Sequence, residues 1–580
     1  MATDVLSAGD SETSVESGTT PRPRPRASAV RQSRSALVAL VLVLLFGTYS
    51  RLVDLGAADL WSDELFHVLA AESLERGDGP RLPSGELYVR GMDLTRLVRV
   101  ARHYISDAEE AARLPSALFG IAGLLTFAAI AWRLAGRWPA VWSTLLLAVF
   151  PVVLQEARST RFYTLQLVHG LVAFYAGWRA LEPRRTSPEQ DSDRTDGVLG
   201  RWGWVALAML AFLSAARVQL TTVSIVVGWG VAVLAFAIAD VVQRRKRALR
   251  ESVAVQLVLA GLVGFALVVV AAPALLDRVI AYAMDVPLWA ESEFSPRTYY
   301  WMFANTIPLV LSLTPLIYLV VARRDRWFAA YLFLWFMVPL VLHSFVLKFQ
   351  AERYVILALP GLFLAAGIAA ADGCGALFRR VAVEAPRVDA RITQRLAQVV
   401  AVCAVAAVVA IALFTTPAFS RSTRVALRQL DVRSPTDYRR ALEVLRSTPG
   451  ADTLPWGSLQ HLTARYYWPR VDFTIERGLL DRPVGGPETP GTREIVVHPE
   501  GTRDFYLGIP VLWRASAVRE YFGTGRDVIV AIDSTAEANY PGGVVAELRR
   551  GGARELCLGR CGTVQLYRWT LADDTTDGNR

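Results

Sequence analysis

Two adjacent carboxylates, Asp63 and Glu64, stand in the run Trp61-Ser62-Asp63-Glu64, just past the first long apolar segment of the chain. One carboxylate of such a pair can take a proton from a hydroxyl while the other orients it or helps to hold a cation. Ser-Asp ahead of an apolar turn is also a helix N-cap signature, so the motif by itself leaves a structural reading open. A second group, residues 155–163, puts Glu156, Arg158, Arg161 and Tyr163 into a short link between two apolar segments. That density of charge is costly unless the groups meet water at a membrane surface or face a polar cavity, where they would see a charged ligand. A third group, residues 348–354, carries Lys348, Arg353 and Tyr354. His67 lies one helical turn beyond Asp63 and shares its face if the segment is helical, although a packing role suits it as well.

The elements that must carry these groups are apolar helices. Of the 580 residues, 53% are hydrophobic, and the mean hydropathy is +0.32. Apolar runs of about twenty residues recur, which reads as a polytopic α-helical membrane protein. The net charge of +9 sits in short Arg-rich loops. Such loops report sidedness through the positive-inside rule, and a nucleic-acid partner is an unnecessary explanation for them. Residues 1–35, Ser/Thr-rich and then repeating Pro-Arg, read as a disordered basic cytoplasmic N-terminus. Spans are expected near 36–53, 114–133, 138–154, 163–181, 202–216, 220–241, 253–272, 300–321 and 327–347, then one holding Pro360 and one near 397–414. The total is about eleven transmembrane helices. Arg-rich links at 244–250, 323–326 and 372–396 mark the cytoplasmic side, which places the long first loop, 54–113, outside. Within that loop, 63–75 and 91–104 have apolar residues at helical spacing and are too short to span, so interfacial helices are expected.

Residues 36–414 therefore form the membrane domain, and 415–580 change character. Apolar runs shrink to strand length at 494–497, 528–532, 544–548 and 563–567, with amphipathic stretches at 438–446 and 459–468. This reads as a soluble extracytoplasmic α/β domain of ordinary size. Cys557 and Cys561 flank Leu-Gly-Arg, a spacing that suits a disulfide in an oxidising compartment and is poor for zinc.

Four stretches, in this order and with this sidedness, resemble the lipid-dependent membrane glycosyltransferases of the GT-C superfamily. The closest likeness is to the branch of protein O-mannosyltransferases and lipid A aminoarabinose transferases. The stretches are Trp61-Ser62-Asp63-Glu64, Ala112-Arg113-Leu114-Pro115-Ser116-Ala117-Leu118, Gln155-Glu156-Ala157-Arg158 with Tyr163, and Arg353-Tyr354 with Pro360. The resemblance implies inverting transfer from a polyprenyl-phosphate sugar donor to a glycan, lipid or protein acceptor, by an integral protein of the plasma (inner) membrane. It implies Asp63 as catalytic base with Glu64 beside it, Glu156 as a second acid, and Arg158, Tyr163 and Arg353 lining the same cavity. A His-Pro-Pro-like element that many relatives carry between the first and second stretches is absent here, which bears on the acceptor.

The residue types suit that chemistry. A lipid phosphate is already a good leaving group, so the site needs a base for the incoming hydroxyl and positive charge for the departing phosphate. Arginines supply fixed charge and paired donors, and Arg353 with Arg158 or Lys348 is the expected phosphate contact. Asp63 and Glu156 are the candidate ligands if a divalent cation (Mg, Mn or Ca) takes part. The rival reading is a transporter or flippase of a lipid-linked or small polar substrate, which would also need many helices and buried charges.

Overall fold

The structure is a computed structural model. It describes residues 27–182, 200–244, 252–271, 316–317, 319, 325–346 and 352–384. Within 437–571 it describes all but 459–460, 469, 475–494, 499–500, 505–506, 513–514, 534–547, 549–550, 558–560 and 562.

The first apolar segment is the helix α1 (Ala27–Leu52). One side of it, with Leu37, Val38, Val41, Leu42 and Leu45, is exposed, as a helix facing lipid requires. The first loop folds into two short helices, α2 (Ser62–Arg76) and α3 (Met92–Tyr104). Both correspond to the amphipathic segments read from the sequence. Gly91 starts α3 with φ at +56°, and a Cβ there would come within 2.5 Å of the Phe162 ring, so glycine is required on both counts.

The next helix departs from expectation. α4 (Ala108–Ala135) begins well before 114, because Asp107 accepts a hydrogen bond from the backbone N–H of Glu110 at 2.7 Å and caps the helix there. Arg113 and Pro115 consequently lie inside it. The third span is broken: α5 (Arg137–Val149) and α6 (Pro151–Ala157) meet at 62°. Pro151 has no N–H to give the Leu147 carbonyl, so the ladder opens at that point. The buried Arg51 of α1 fills the opening, donating to the Leu147 and Ala148 carbonyls at 3.3 Å each and to Gly47 at 2.8 Å. Gly120 of α4 lets α6 approach, since a Cβ there would lie 2.6 Å from that of Ala157.

α7 (Tyr163–Leu181) runs through the middle of the bundle with most of its residues buried. α8 (Arg201–Val218), α9 (Val223–Arg244), α10 (Val253–Ala271), α11 (Arg326–Phe345) and α12 (Leu359–Glu384) pack round it, and α12 continues into what was read as a cytoplasmic link. Five described helices are long and apolar enough to cross a membrane, or six with the bent pair. The expected total of about eleven is not reached among the described residues; the spans near 300–321 and 397–414 fall almost wholly outside them.

The C-terminal part is α/β, as expected. α13 (Tyr438–Arg446) and α14 (His461–Tyr467) match the amphipathic stretches. β1 (Trp456–Ser458), β2 (Phe473–Thr474), β5 (Asp527–Asp533), β6 (Arg554–Glu555) and β7 (Val564–Thr570) form one sheet in the order β2-β1-β5-β7-β6, parallel from β2 to β5 and antiparallel beyond. β3 (Ile495–His498) and β4 (Gly501–Asp504) make a separate hairpin, and α15 (Ala515–Phe522) lies before β5. The strand read at 544–548 lies outside the described residues except for Leu548. Cys557 and Cys561 are joined as a disulfide.

Candidate active site

The site is assembled at the end of the bundle that carries the first loop, by segments far apart in sequence. Asp63 and Glu64 occupy the first turn of α2 and therefore point in different directions. Glu64 is buried, and its carboxylate is gripped by Arg113, whose Nε and Nη2 donate to Oε1 and Oε2 at 2.8 and 2.9 Å. Two backbone N–H groups complete it, Trp61 at 3.2 Å and Thr160 at 2.8 Å. Arg113 spends its remaining donors on the carbonyls of Leu55, Ala58 and Asp59, each at 2.8 Å. Glu64 thus ties the start of α2 to α4 and to the 158–162 link.

Asp63 is the member of the pair that faces open space, with its side chain about a quarter exposed at 25%. Its Oδ2 meets two guanidinium groups, Arg161 at 3.3 Å and Arg353 at 3.5 Å. Arg161 also donates to the Asp63 carbonyl at 2.8 Å, which fixes the residue from both ends. Tyr163 lies under both arginines, its ring centre 5.5 Å from Arg161 and 5.9 Å from Arg353, and Tyr354 lies under Arg353 at 5.7 Å. Stacking on aromatic faces holds each guanidinium flat without consuming its N–H donors. The Nε atoms of Arg161 and Arg353 are buried and have no hydrogen-bond partner among the described residues. Burial disfavours both charges, but Asp63 and the neighbouring tyrosines outweigh it and leave each arginine above its ordinary value.

Glu156, at the end of α6, is buried, and its Oε2 has no hydrogen-bond partner among the described residues. His67 is fully buried, its Nδ1 2.9 Å from Thr95 Oγ1 and its ring edge-on to Tyr88 and Phe162. Burial, with the charge of Arg161, pushes it down to about 3.

No protein-family model matches the chain, and no curated protein matches it. Among solved structures, ArnT from Cupriavidus metallidurans in the apo state is similar over 93% of this chain and 99% of that one, at 15% identity and a TM-score of 0.52. The chain has a GT-C fold. ArnT from the same organism bound to undecaprenyl phosphate is 17% identical over the same shares, with a TM-score of 0.49. The archaeal oligosaccharyltransferase AglB from Archaeoglobus fulgidus, solved with an inhibitory peptide and a dolichol-phosphate, is 12% identical over 87% of this chain and 70% of that one, with a TM-score of 0.49.

Within this GT-C bundle the expected site residues sort into three sets. Asp63, Arg161, Tyr163, Arg353 and Tyr354 are together. Glu64, Glu156 and His67 adjoin them as buried groups. Arg158 is turned away: its Nη1 donates to the carbonyls of Ser50 and Val53 at 2.9 and 2.7 Å, so it caps the end of α1. Lys348 lies outside the described residues. Arg113 lies inside α4, and its place in the Ala112–Leu118 motif is its one sequence signal; the caps by Arg51 and Arg158 carry none. Among the described residues no cluster of three or more His, Cys, Asp or Glu side chains could hold a metal. Two guanidinium groups face Asp63, which leaves that carboxylate poorly suited to a divalent ion.

Proposed function

We propose that this integral membrane protein is a glycosyltransferase that moves a sugar from a polyprenyl-phosphate donor to an acceptor hydroxyl at the outer face of the membrane. The observation that carries this is a single partly open carboxylate, Asp63, shared by two arginines, one buried and one partly open, that arrive from different segments. One carboxylate with two cations beside it is the complement of a hydroxyl that must lose a proton and a phosphate that must leave. The GT-C fold and the motif resemblance support the same reading.

Asp63 Oδ2 faces Arg161 and Arg353. A donor phosphate would draw on these guanidinium groups, Arg353 with its unused Nε above all, and Oδ2 would then be free to accept the acceptor proton. The hydroxyl oxygen attacks the anomeric carbon as the bond to the phosphate oxygen breaks, inverting the configuration. The proton goes to Asp63, and the leaving phosphate keeps the electron pair beside the arginines. Glu64 does not touch the reactants in this scheme; it holds the first turn of α2 so that Asp63 is presented. Arg158 has the same kind of role at α1.

Asp63→Asn keeps the shape and removes the proton acceptor, so turnover should fall by about a thousandfold or more, while the protein still inserts and binds undecaprenyl phosphate. Wild-type turnover by Asp63→Asn with a competent polyprenyl-phosphate sugar would refute the base assignment. Arg353→Gln should mainly weaken binding of undecaprenyl phosphate, by roughly tenfold for one lost charge-assisted contact.

A further inference from the structure

The reaction proposed above leaves the C-terminal domain without a role, yet that domain is fastened to the loop carrying Asp63. Arg439, in the first turn of α13, donates its backbone N–H to Asp59 Oδ2 at 3.1 Å and its Nε to Asp59 Oδ1. Its Nη2 donates to the Ala57 and Gly56 carbonyls at 3.2 and 3.4 Å. Asp59 is only 4% exposed, although it lies in a surface loop. A second fastening lies alongside: Tyr467, at the end of α14, accepts the Leu60 N–H at 2.7 Å and donates to Glu109 at 3.0 Å.

Both fastenings lead to the reacting centre in a few contacts. The Asp59 carbonyl accepts from Arg113 Nη2, the same guanidinium that grips Glu64. Glu64 is bonded to Asp63 in the chain and receives the N–H of Thr160, the residue before Arg161. Arg439, Asp59, Arg113, Glu64 and the Asp63–Arg161 pair therefore form one continuous polar series, most of it buried.

We infer that Arg439 is a positioning residue for the transfer reaction: the C-terminal domain, through Asp59 and Arg113, sets the placement of Asp63 relative to Arg161. The inference rests on the reaction reading above. A carboxylate displaced by even an ångström from its near-attack position costs about a hundredfold in rate, with little effect on how tightly the remote lipid is held.

The test compares full-length wild type with Arg439→Gln, Arg439→Lys, Tyr467→Phe and, as a control in the same domain, Arg568→Gln, whose partner is Asp527 on the sheet. Three quantities are read: turnover with the polyprenyl-phosphate sugar the wild type uses, affinity for undecaprenyl phosphate as a probe, and backbone hydrogen exchange of residues 54–64. Arg439→Gln should lower kcat by about a hundredfold, leave affinity for the probe unchanged and speed exchange in 54–64. Arg439→Lys should recover part of kcat, Tyr467→Phe should show a smaller loss, and Arg568→Gln should match wild type. Wild-type kcat in Arg439→Gln overturns the inference, as does equal loss of kcat and probe affinity with no recovery by lysine. If Asp63→Asn turns over normally, the reaction reading fails; if Asp63→Asn is inactive while Arg439→Gln is fully active, only the positioning role fails.

Discussion

At the scale of single residues, the adjacent acids divide the work by burial. Glu64 is 1% exposed and pairs with an Arg113 that is nearly as buried. Removing one partner strands the other charge without water, so Glu64→Ala should destabilise the fold by about 3–5 kcal/mol. Thermal unfolding in detergent reads this out; an unchanged midpoint would show that the pair is dispensable. Asp63→Asn, with its partly exposed side chain, should leave the same midpoint almost untouched.

His67 gives a pH dependence of definite sign. Its folded-state value is about 3, against about 6.5 in an unfolded chain. A depressed value in the folded state means that the unfolded chain binds the extra proton, so stability is full above about pH 6.5 and drains away as pH falls. Arg161, whose charge faces the ring, deepens the effect. Lowering pH from 7 to 5 should therefore increase proteolysis within 62–104, and His67→Asn should flatten that response. The i, i+4 relation of Asp63 and His67 was legible in the sequence. The buried Thr95, Tyr88 and Phe162 around His67 belong to other segments, and no spacing rule reaches them.

At the scale of elements, the sequence was read well where apolar length decides the matter and less well where a side chain from elsewhere does. The stretch 163–181 is helical within the expected bounds, as α7 (Tyr163–Leu181), but α7 is not among the described helices long and apolar enough to cross a membrane. The start of α4 moved because a cap at Asp107 overrides the charged residues that follow, and Arg113 can sit in a helix because its partners come from 55–64. The stretch 138–154 was expected as one unbroken span; Pro151 breaks it, and Arg51, on another helix, makes the break tolerable. Arg51→Met would leave the Leu147 and Ala148 carbonyls without donors in an apolar interior, at a cost of about 1–3 kcal/mol for each group left unsatisfied. The loss should appear as lower thermal stability together with reduced turnover, since α6 leads into the 158–163 link. A variant that loses neither would show that the bent span does not need Arg51.

At the scale of the whole molecule, an α/β tail is fastened to the loop that carries Asp63. The composition shift after 414 made the tail visible as α/β, and the strands at 495–498, 527–533 and 564–570 lie where short apolar runs put them. The contact between tail and first loop was invisible, because Arg439, Tyr467, Tyr466 and Leu462, which make it, carry no spacing that points to a partner. The motif resemblance implied one cavity lined by Asp63, Glu156, Arg158, Tyr163 and Arg353; Arg161, which belongs to no motif, meets Asp63, while Arg158 caps α1. The distances that make it chemistry come from the bundle, which brings the three segments to one end.

The grip of Arg158 on the carbonyls at the end of α1 ties the 158–163 link, and with it the proposed site, to a helix that faces lipid. The apolar part of α1, Arg34–Leu52, has 19 residues, about 28 Å of helix at 1.5 Å per residue. That barely matches a hydrocarbon core of about 30 Å, and α1 turns one flank outward to the acyl chains. Thicker or thinner lipid would tip or sink this rod, and through Arg158 the tilt would reach the strand of chain holding Arg161 and Tyr163. In vesicles of graded acyl length, turnover should therefore peak at one thickness and fall on either side, so that the solvent around the protein becomes a dial on its chemistry.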